Sequence, residues 1–193
     1  EKLSTENIIL GNGSNEILEL AARAFLNPGS SVVASAHAFV VYKIVTQSSG
    51  ATLIEVPTLN WGHNLLEFPE HVRDDTKVIF IANPNNPTGT YNSHQEVHNL
   101  LKNIPSSILV VLDCAYFEYV KKSDYVNPLV LLNEFDNLIV TKSFSKIQGL
   151  ASARIGYGIA QPDLIEVLNR IRQPFNVNSF AQELACEAIN DKE

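Results

Sequence analysis

Four short polar segments of this sequence carry residue types that bind ligands, and each adjoins an apolar run or a helical pattern. They comprise residues 11–15, 83–89, 113–116 and 143–146. In an open α/β sheet, ligands lie beyond the carboxyl ends of the strands. We therefore expect the four segments to meet at one edge of a sheet, and that convergence would support a site more strongly than any one segment.

The last segment holds the most informative combination: Ser143, Ser145 and Lys146, with Arg154 further along the chain. Two hydroxyl groups and a guanidinium group suit a phosphate. A lysine that is withdrawn from water beside other cations acts as a nucleophile toward aldehydes. Most lysines are simply exposed to solvent, but this set of neighbours disfavours that alternative for Lys146.

Asp113 follows a run of five apolar residues, so its carboxylate is expected at the end of a buried strand. A carboxylate in such a place needs a partner, or its pKa rises. The structural alternatives are a helix N-cap or an ion pair, and the functional one is a fixed anion for the cationic nitrogen of a ligand. Tyr116 is close enough in sequence to reach the same ligand with its phenol group.

Two further segments supply backbone and amide donors. Glycines before a helix, here Gly11 and Gly13, let backbone N–H groups point at an anion, which the helix dipole favours. The alternative is a plain helix start, capped by Asn12 or Ser14. The second segment is typical of a turn, yet the adjacent amides of Asn85 and Asn86 at a strand's end can donate to a ligand oxygen.

Together these groups would form a phosphate cradle, a carboxylate for a protonated ring nitrogen, a phenol and an amide for a ring oxygen, and a lysine for an aldehyde. Pyridoxal 5'-phosphate has all four features. We therefore predict this cofactor, and we predict no metal site.

The elements that must position these residues alternate along the chain. Short apolar and β-branched runs predict strands at 31–34, 52–56, 78–82, 108–112 and 138–141. Helical spacing predicts helices at 17–25, 40–48, 93–102 and 128–134, then from 164 and from 179. This alternation indicates βαβ crossovers, and the continuous apolar runs indicate strands covered on both faces. The predicted fold class is α/β, a mostly parallel sheet sandwiched by helices, in one domain over residues 1–193.

The composition excludes several other classes of protein. The chain has 193 residues, of which 45% are hydrophobic and 18% charged, as in a globular protein with one sizeable core. Its longest apolar runs have five residues, whereas a transmembrane helix needs about 20. A net charge of −7 makes nucleic acid a poor partner. Two cysteines without a CxxC motif predict a reduced, cytoplasmic protein.

Several motifs occur in the order and at the spacing of a known family. Asn-Pro-Thr-Gly at 86–89, and Ser-x-Ser-Lys at 143–146 with Arg154, are specific for a superfamily. Gly-Asn-Gly-Ser at 11–14 and Arg-Gln-Pro-Phe-Asn-Val-Asn at 172–178 indicate a narrower family. The sequence thereby resembles the fold-type I aminotransferases, which depend on pyridoxal phosphate, and within them the histidinol-phosphate aminotransferase family. The matching stretches run across nearly the whole chain.

The resemblance implies a role for each matched residue. Lys146 would join the cofactor aldehyde as a Schiff base and later shuttle a proton, and Asp113 would pair with the pyridinium nitrogen. Tyr116 and Asn86 would hydrogen-bond the ring oxygen, and Phe39 would stack on the ring face. The phosphate would be held by Ser143, Ser145, Arg154 and the backbone amides around Gly13 and Ser14.

The resemblance also implies an activity. It is a transamination in histidine biosynthesis, in which histidinol phosphate and 2-oxoglutarate interconvert with imidazole-acetol phosphate and glutamate. The partners would be a small-molecule amino donor, a 2-oxo acid and a second copy of the full-length protein, with no nucleic acid or membrane. Enzymatic alternatives are an aromatic or other amino-acid transaminase, or a phosphate-linked decarboxylase of the same fold. A non-catalytic effector module of a transcription regulator is disfavoured, because every catalytic position is filled.

Members of this family extend beyond both ends of the sequence. The chain contains no methionine, and it begins with charged residues, Glu1 and Lys2, rather than with a signal peptide. We therefore expect a large, cofactor-binding domain without its N-terminal arm and C-terminal small domain, and with little activity in isolation. Within the motifs, Asn15 and Cys114 stand where the family usually has Asp and Glu.

Overall fold

The computed structural model describes residues 3–191. Glu1 and Lys2, which the sequence gives as a charged start, lie outside the described residues, as do residues 192 and 193. The described elements are β1 (Ile8–Gly11), α1 (Ser14–Phe25), β2 (Ser31–Ser35), α2 (Val40–Ser48), β3 (Thr52–Val56), β4 (Thr58–Leu59), β5 (Gly62–His63), α3 (Phe68–His71), β6 (Thr76–Ala82), α4 (His94–Asn103), β7 (Leu109–Asp113), β8 (Leu138–Ser143), β9 (Gly156–Ile159), α5 (Pro162–Ile171) and α6 (Ser179–Asn190).

Seven of the strands form one sheet in the order β1-β9-β8-β7-β6-β2-β3. The run from β8 to β3 is parallel throughout, and β9 is antiparallel to both of its neighbours, β8 and β1. All five predicted strands are present in the parallel part. The mostly parallel sheet predicted from the sequence is therefore confirmed. The strands β4 and β5 form a separate hairpin.

Helices cover both faces of the sheet, because alternate residues of each buried strand point to opposite sides. On one face, Phe80 and Val111 pack in a core with α1, α2 and α5. On the other, Ile81 and Leu112 pack in a second core with α3, α4 and the 128–133 segment. The prediction of strands covered on both faces is confirmed.

The sequence-based helices match closely, with one difference in type. Residues Pro128–Asn133 form a 3₁₀ helix rather than part of an α-helix over 128–134. The side chain of Asn127 caps this segment by accepting the N–H of Leu129, and the segment is short enough for the tighter i→i+3 bonding. No helix within residues 3–191 is both long and apolar enough to cross a membrane.

Two strands at the β1 end of the sheet were not predicted. β9 contains Gly156 and Gly158 among four residues, a composition that weakens a strand signal. A Cβ on Gly156 would lie 2.3 Å from the backbone nitrogen of Ser14. The glycine therefore lets the start of α1 lie directly against β9, which places the first turn of α1 beside the end of β8.

Candidate active site

One cavity at the carboxyl ends of β6, β7 and β8 collects the polar segments singled out in the sequence. Nine of the ten predicted site residues line it, and Gly13 lies at its rim against Arg154. The nine are Ser14, Phe39, Asn86, Asp113, Tyr116, Ser143, Ser145, Lys146 and Arg154. The expected convergence at one edge of the sheet is therefore observed.

The start of α1 and the residues after β8 form a cationic, donor-rich end of this cavity. The first N–H groups of a helix have no acceptor within it, and Ser14 and Asn15 of the first turn line the cavity. The N-cap is Gly13, with φ of 75°, so the alternative of a cap by Asn12 or Ser14 is wrong. This end provides the donors and positive charge that an anion needs.

The guanidinium group of Arg154 lies across the start of α1. Its Nη1 donates to the carbonyl of Ala151 at 2.9 Å and to Oγ of Ser145 at 3.4 Å. A Cβ on Gly13 would lie 2.3 Å from Nη2 of Arg154, so only glycine allows this approach without a shift. The Ser143 hydroxyl accepts the N–H of Ser145 at 3.1 Å, which fixes the backbone of the serine that contacts the guanidinium group.

Asp113 ends β7 and is only 5% exposed. Its Oδ1 accepts the hydroxyl of Thr141 at 3.0 Å and the N–H of Ala115 at 3.2 Å, and its Oδ2 accepts the hydroxyl of Tyr42 at 3.3 Å. Neither structural alternative, a helix cap or an ion pair, describes these partners. Burial raises the pKa of the Asp113 carboxyl group, against the hydrogen bonds and the charge of Lys146, which lower it. A buried anion of this kind is suited to a cationic group in the cavity.

Lys146 follows β8, and its Nζ lies 4.8 Å from the centroid of the Tyr116 ring. The nearby Lys142 has a different environment. Its Nζ contacts the Glu118 carboxylate at 3.0 Å and lies 3.8 Å from the centre of the Phe117 ring. Lys142 is thus engaged in an ion pair, while the amine of Lys146 faces the cavity beside Asp113 and Tyr116.

The two adjacent amides after β6 have different environments, which corrects part of the sequence-based expectation. Asn86 lines the cavity, as predicted. Asn85 is buried, and its amide nitrogen donates to the carbonyl of His37 at 2.8 Å and to the hydroxyl of Thr88 at 2.7 Å. Asn85 therefore braces the loop that leads to Phe39 instead of sharing the cavity with Asn86.

Two partners of Asp113 were missed by sequence reasoning. The sequence could have indicated Thr141, because it lies two residues before Ser143 and therefore on the same face of the strand. In the structure it pairs with Asp113 of the neighbouring strand. Tyr42 contacts the Phe39 ring and stacks on Phe80 with ring centroids 4.9 Å apart, but nothing in the sequence connects it to Asp113.

The two departures from the family motifs lie in different places. Asn15 lines the cavity. Cys114 points to the opposite face of the sheet, is buried in the second core, and has a thiol pKa raised by that burial. The Cys114 side chain thus belongs to the core rather than to the cavity.

The fold and this cavity define a class of protein. The family model for aminotransferase class I and II matches residues 1–193. The chain belongs to aminotransferase class I and II, as the resemblance in the sequence predicted.

Particular relatives within this class are close in sequence. The chain is 52% identical over 186 residues to histidinol-phosphate aminotransferase 2 of Pseudomonas fluorescens, a match that covers 96% of this chain and 50% of that protein. It is 50% identical over 191 residues to histidinol-phosphate aminotransferase 2 of Hydrogenovibrio crunogenus, covering 99% and 51%. The chain thus spans about half the length of the curated relatives it matches.

The fold also matches a solved structure, that of histidinol-phosphate aminotransferase from Sinorhizobium meliloti in complex with pyridoxal-5'-phosphate. The TM-score is 0.93 at 29% identity, and the match covers 98% of this chain and 51% of that one. The prediction of a fold-type I aminotransferase architecture is confirmed.

Proposed function

We propose that this chain is the cofactor-binding part of a histidinol-phosphate aminotransferase that uses pyridoxal phosphate. The names of the relatives at 52% and 50% identity support histidinol phosphate as the substrate. The pyridoxal phosphate in the Sinorhizobium meliloti structure supports the choice of cofactor. The single observation that carries the proposal is the convergence of Asp113, Lys146 and Arg154 on one cavity. The reaction would interconvert histidinol phosphate and 2-oxoglutarate with imidazole-acetol phosphate and glutamate.

The residues of the cavity fit this cofactor chemically. The cationic end at Ser14, Ser143, Ser145 and Arg154 suits a phosphate, and the buried carboxylate of Asp113 suits a protonated ring nitrogen. When bound, the cofactor supplies an aldehyde for the amino group and a ring that accepts electrons from the substrate carbon. The protein supplies the binding, the orientation and the proton transfers.

Asp113 would keep the ring nitrogen of the bound cofactor protonated. Its own three hydrogen bonds fix the carboxylate in place, and its burial strengthens its attraction to a cation. A cationic ring in the cavity would be attracted to the buried Asp113 carboxylate. The same carboxylate would therefore contribute both to binding the cofactor and to keeping it in its reactive, protonated form. Tyr42 and Thr141 act by holding Asp113 in position.

Lys146 has two tasks. Its Nζ would bind the cofactor aldehyde, and the same nitrogen would move a proton at the substrate carbon that bears the amino group. The hydroxyl of Tyr116, whose ring lies beside Nζ, and the amide of Asn86 would hydrogen-bond the ring oxygen, while Phe39 would pack on the ring face. The hydroxyl groups of Ser143 and Ser145 would hold the phosphate.

The proposal extends to the whole protein, which in the relatives is about twice as long as this chain. Residues 1–193 would be the large domain, and an N-terminal arm and a small domain would complete the enzyme. The working form would be a cytoplasmic homodimer. Val40 and Ile44 of α2, which are 61% and 53% exposed, offer apolar surface for such an interface.

An assay of amino donors tests the proposed function. The purified full-length protein is given 2-oxoglutarate with histidinol phosphate, phenylalanine or aspartate. We expect kcat/KM for histidinol phosphate to exceed the other two by at least about a hundredfold, because a site built for polar groups discriminates against donors that lack them. Equal or faster turnover of phenylalanine or aspartate would identify another transaminase, and release of CO₂ from a phosphorylated amino acid would identify a decarboxylase. Lys146→Ala should abolish turnover of every donor.

A further inference from the structure

A chain of hydrogen bonds joins the segment after α5 to the start of α1, between residues 160 positions apart. Nη1 of Arg172 donates to Oδ1 of Asn176 at 2.9 Å. Nδ2 of Asn176 donates to Oε2 of Glu16 at 2.7 Å and to the carbonyl of Leu10 at 3.0 Å. The same Glu16 oxygen accepts the backbone N–H of Asn12 at 2.6 Å. Since a guanidinium group can only donate, Arg172 fixes the amide of Asn176 with its NH₂ group toward Glu16.

These bonds hold both ends of the turn between β1 and α1. Leu10 precedes the turn, and Glu16 is the third residue of the helix that follows. Between them lie Gly13, with a positive φ of 75°, and Ser14 and Asn15, which line the cavity. The placement of the backbone amides at the cationic end of the cavity therefore depends on contacts made behind the turn.

The charge of Glu16 makes these contacts matter for an anion. A carboxylate in the first turn of a helix stabilises the helix dipole, but it repels a second anion at the same helix end. In the structure, the carboxylate turns back onto the N–H of Asn12 and the NH₂ group of Asn176. The negative charge of Glu16 is therefore stabilised by two donors of the chain itself, and not by groups in the cavity.

We propose that Asn176 is a positioning residue for the phosphate group of the cofactor. Acting through Glu16, it keeps the turn at residues 11–15 in its anion-binding shape and holds the Glu16 carboxylate away from the phosphate. This inference rests on the proposed function, since it assumes that a phosphate binds at this end of the cavity.

The test compares two ligands that differ only in the phosphate group, pyridoxal phosphate and pyridoxal, by fluorescence titration of the full-length protein. The variants are Asn176→Ala, Glu16→Gln and the double variant. We expect Asn176→Ala to weaken binding of pyridoxal phosphate about tenfold and to leave binding of pyridoxal unchanged within about twofold, as for one charge interaction at a partly exposed site. In the double variant, the preference for pyridoxal phosphate should return to that of Glu16→Gln alone.

Asn137→Ala is the matched control. Asn137 is also half-buried and also donates its side-chain amide to a backbone carbonyl, that of Ile108 at 2.7 Å, at the opposite edge of the sheet. It should leave the ratio of the two affinities unchanged, whatever it does to the unfolding temperature. Unchanged selectivity in Asn176→Ala, equal weakening of both ligands, or no rescue by Glu16→Gln would overturn the inference while leaving the proposed function standing. If the unaltered protein does not prefer pyridoxal phosphate over pyridoxal, the proposed function fails and this inference fails with it.

Discussion

Replacing Asp113 with asparagine removes a buried charge and leaves the shape of its surroundings almost unchanged. The carboxylate accepts two hydrogen bonds at Oδ1, from Thr141 and Ala115, and one at Oδ2, from Tyr42. An asparagine carbonyl can keep the first two, and its NH₂ group can donate to the Tyr42 hydroxyl. The variant should therefore fold and should still bind the cofactor.

Turnover is expected to fall far more than binding. An opposite charge within about 4–6 Å shifts a pKa by roughly 1–3 units, and losing the carboxylate would lower the fraction of protonated ring by about 10- to 1,000-fold. We expect kcat of the full-length enzyme to decrease by at least about a hundredfold, because each proton transfer at the substrate carbon needs the protonated ring.

The same substitution should stabilise the cofactor-free protein at neutral pH. Burial raises the folded-state pKa of Asp113 above its unfolded value. Such a group contributes stability below the unfolded pKa, and that contribution is lost as the pH rises through the folded pKa. Asparagine does not ionise, so Asp113→Asn removes the loss of stability that accompanies ionisation of the buried carboxyl group. Its unfolding temperature at pH 7 should equal or exceed that of the unaltered protein by up to about 2–4 °C, and the difference should shrink toward pH 4.

Thermal unfolding between pH 4 and pH 8, together with steady-state kinetics, checks both parts. Asp136→Asn, at an exposed position, is the control for loss of a carboxylate as such and should change neither quantity. Unaltered kcat in Asp113→Asn would show that Asp113 is only structural. A lower unfolding temperature at every pH would show that the charged form stabilises the empty cavity, which refutes the electrostatic reasoning.

Three other predictions concern the surroundings of the cavity. Tyr42→Phe keeps the stacking on Phe80 but removes one hydrogen bond to Asp113. We expect kcat to fall about three- to tenfold with little change in KM, and an unchanged kcat would contradict this prediction. Gly13→Ala places a Cβ 2.3 Å from Nη2 of Arg154, at a residue whose φ is 75°. The variant should bind the cofactor more weakly. Denaturant titration should show a free energy of unfolding lower by about 1–2 kcal/mol. Burial lowers the pKa of His63, so protons bind more readily to the unfolded chain. The free energy of unfolding should therefore fall as the pH drops below about 6.5. His63→Gln should flatten this pH dependence, and an unchanged pH profile of the free energy of unfolding would contradict the prediction.

The sequence predicted the central elements because they carry strong local signals. Strands β6, β7 and β8 are continuous apolar runs, and the polar residues that follow them had to meet at one edge of a parallel sheet. The cavity residues could therefore be chosen before their distances were known. α4 had a local signal as well, since its Ser93 and Glu96 form a capping box.

The parts that were missed depend on contacts between distant segments. β1 and β9 are four-residue strands that pair across about 150 residues, and α1 can lie against β9 because Gly156 and Gly158 have no side chains. The hydroxyl of Tyr42 meets Asp113 across 71 residues. The different environments of Asn85 and Asn86 depend on the position of the His37 carbonyl, which no local pattern encodes.

The proposed function requires that Lys146 carries the cofactor, and the modified residue can be identified directly. The full-length protein is incubated with pyridoxal phosphate, treated with sodium borohydride to reduce the C=N bond between cofactor and lysine, digested, and mapped by mass spectrometry. We expect a phosphopyridoxyl group on the peptide that contains Lys146. We expect none on Lys142, whose amine is paired with Glu118, or on the surface residues Lys121 and Lys122. A label on any of those three lysines, with Lys146 unmodified, would contradict it.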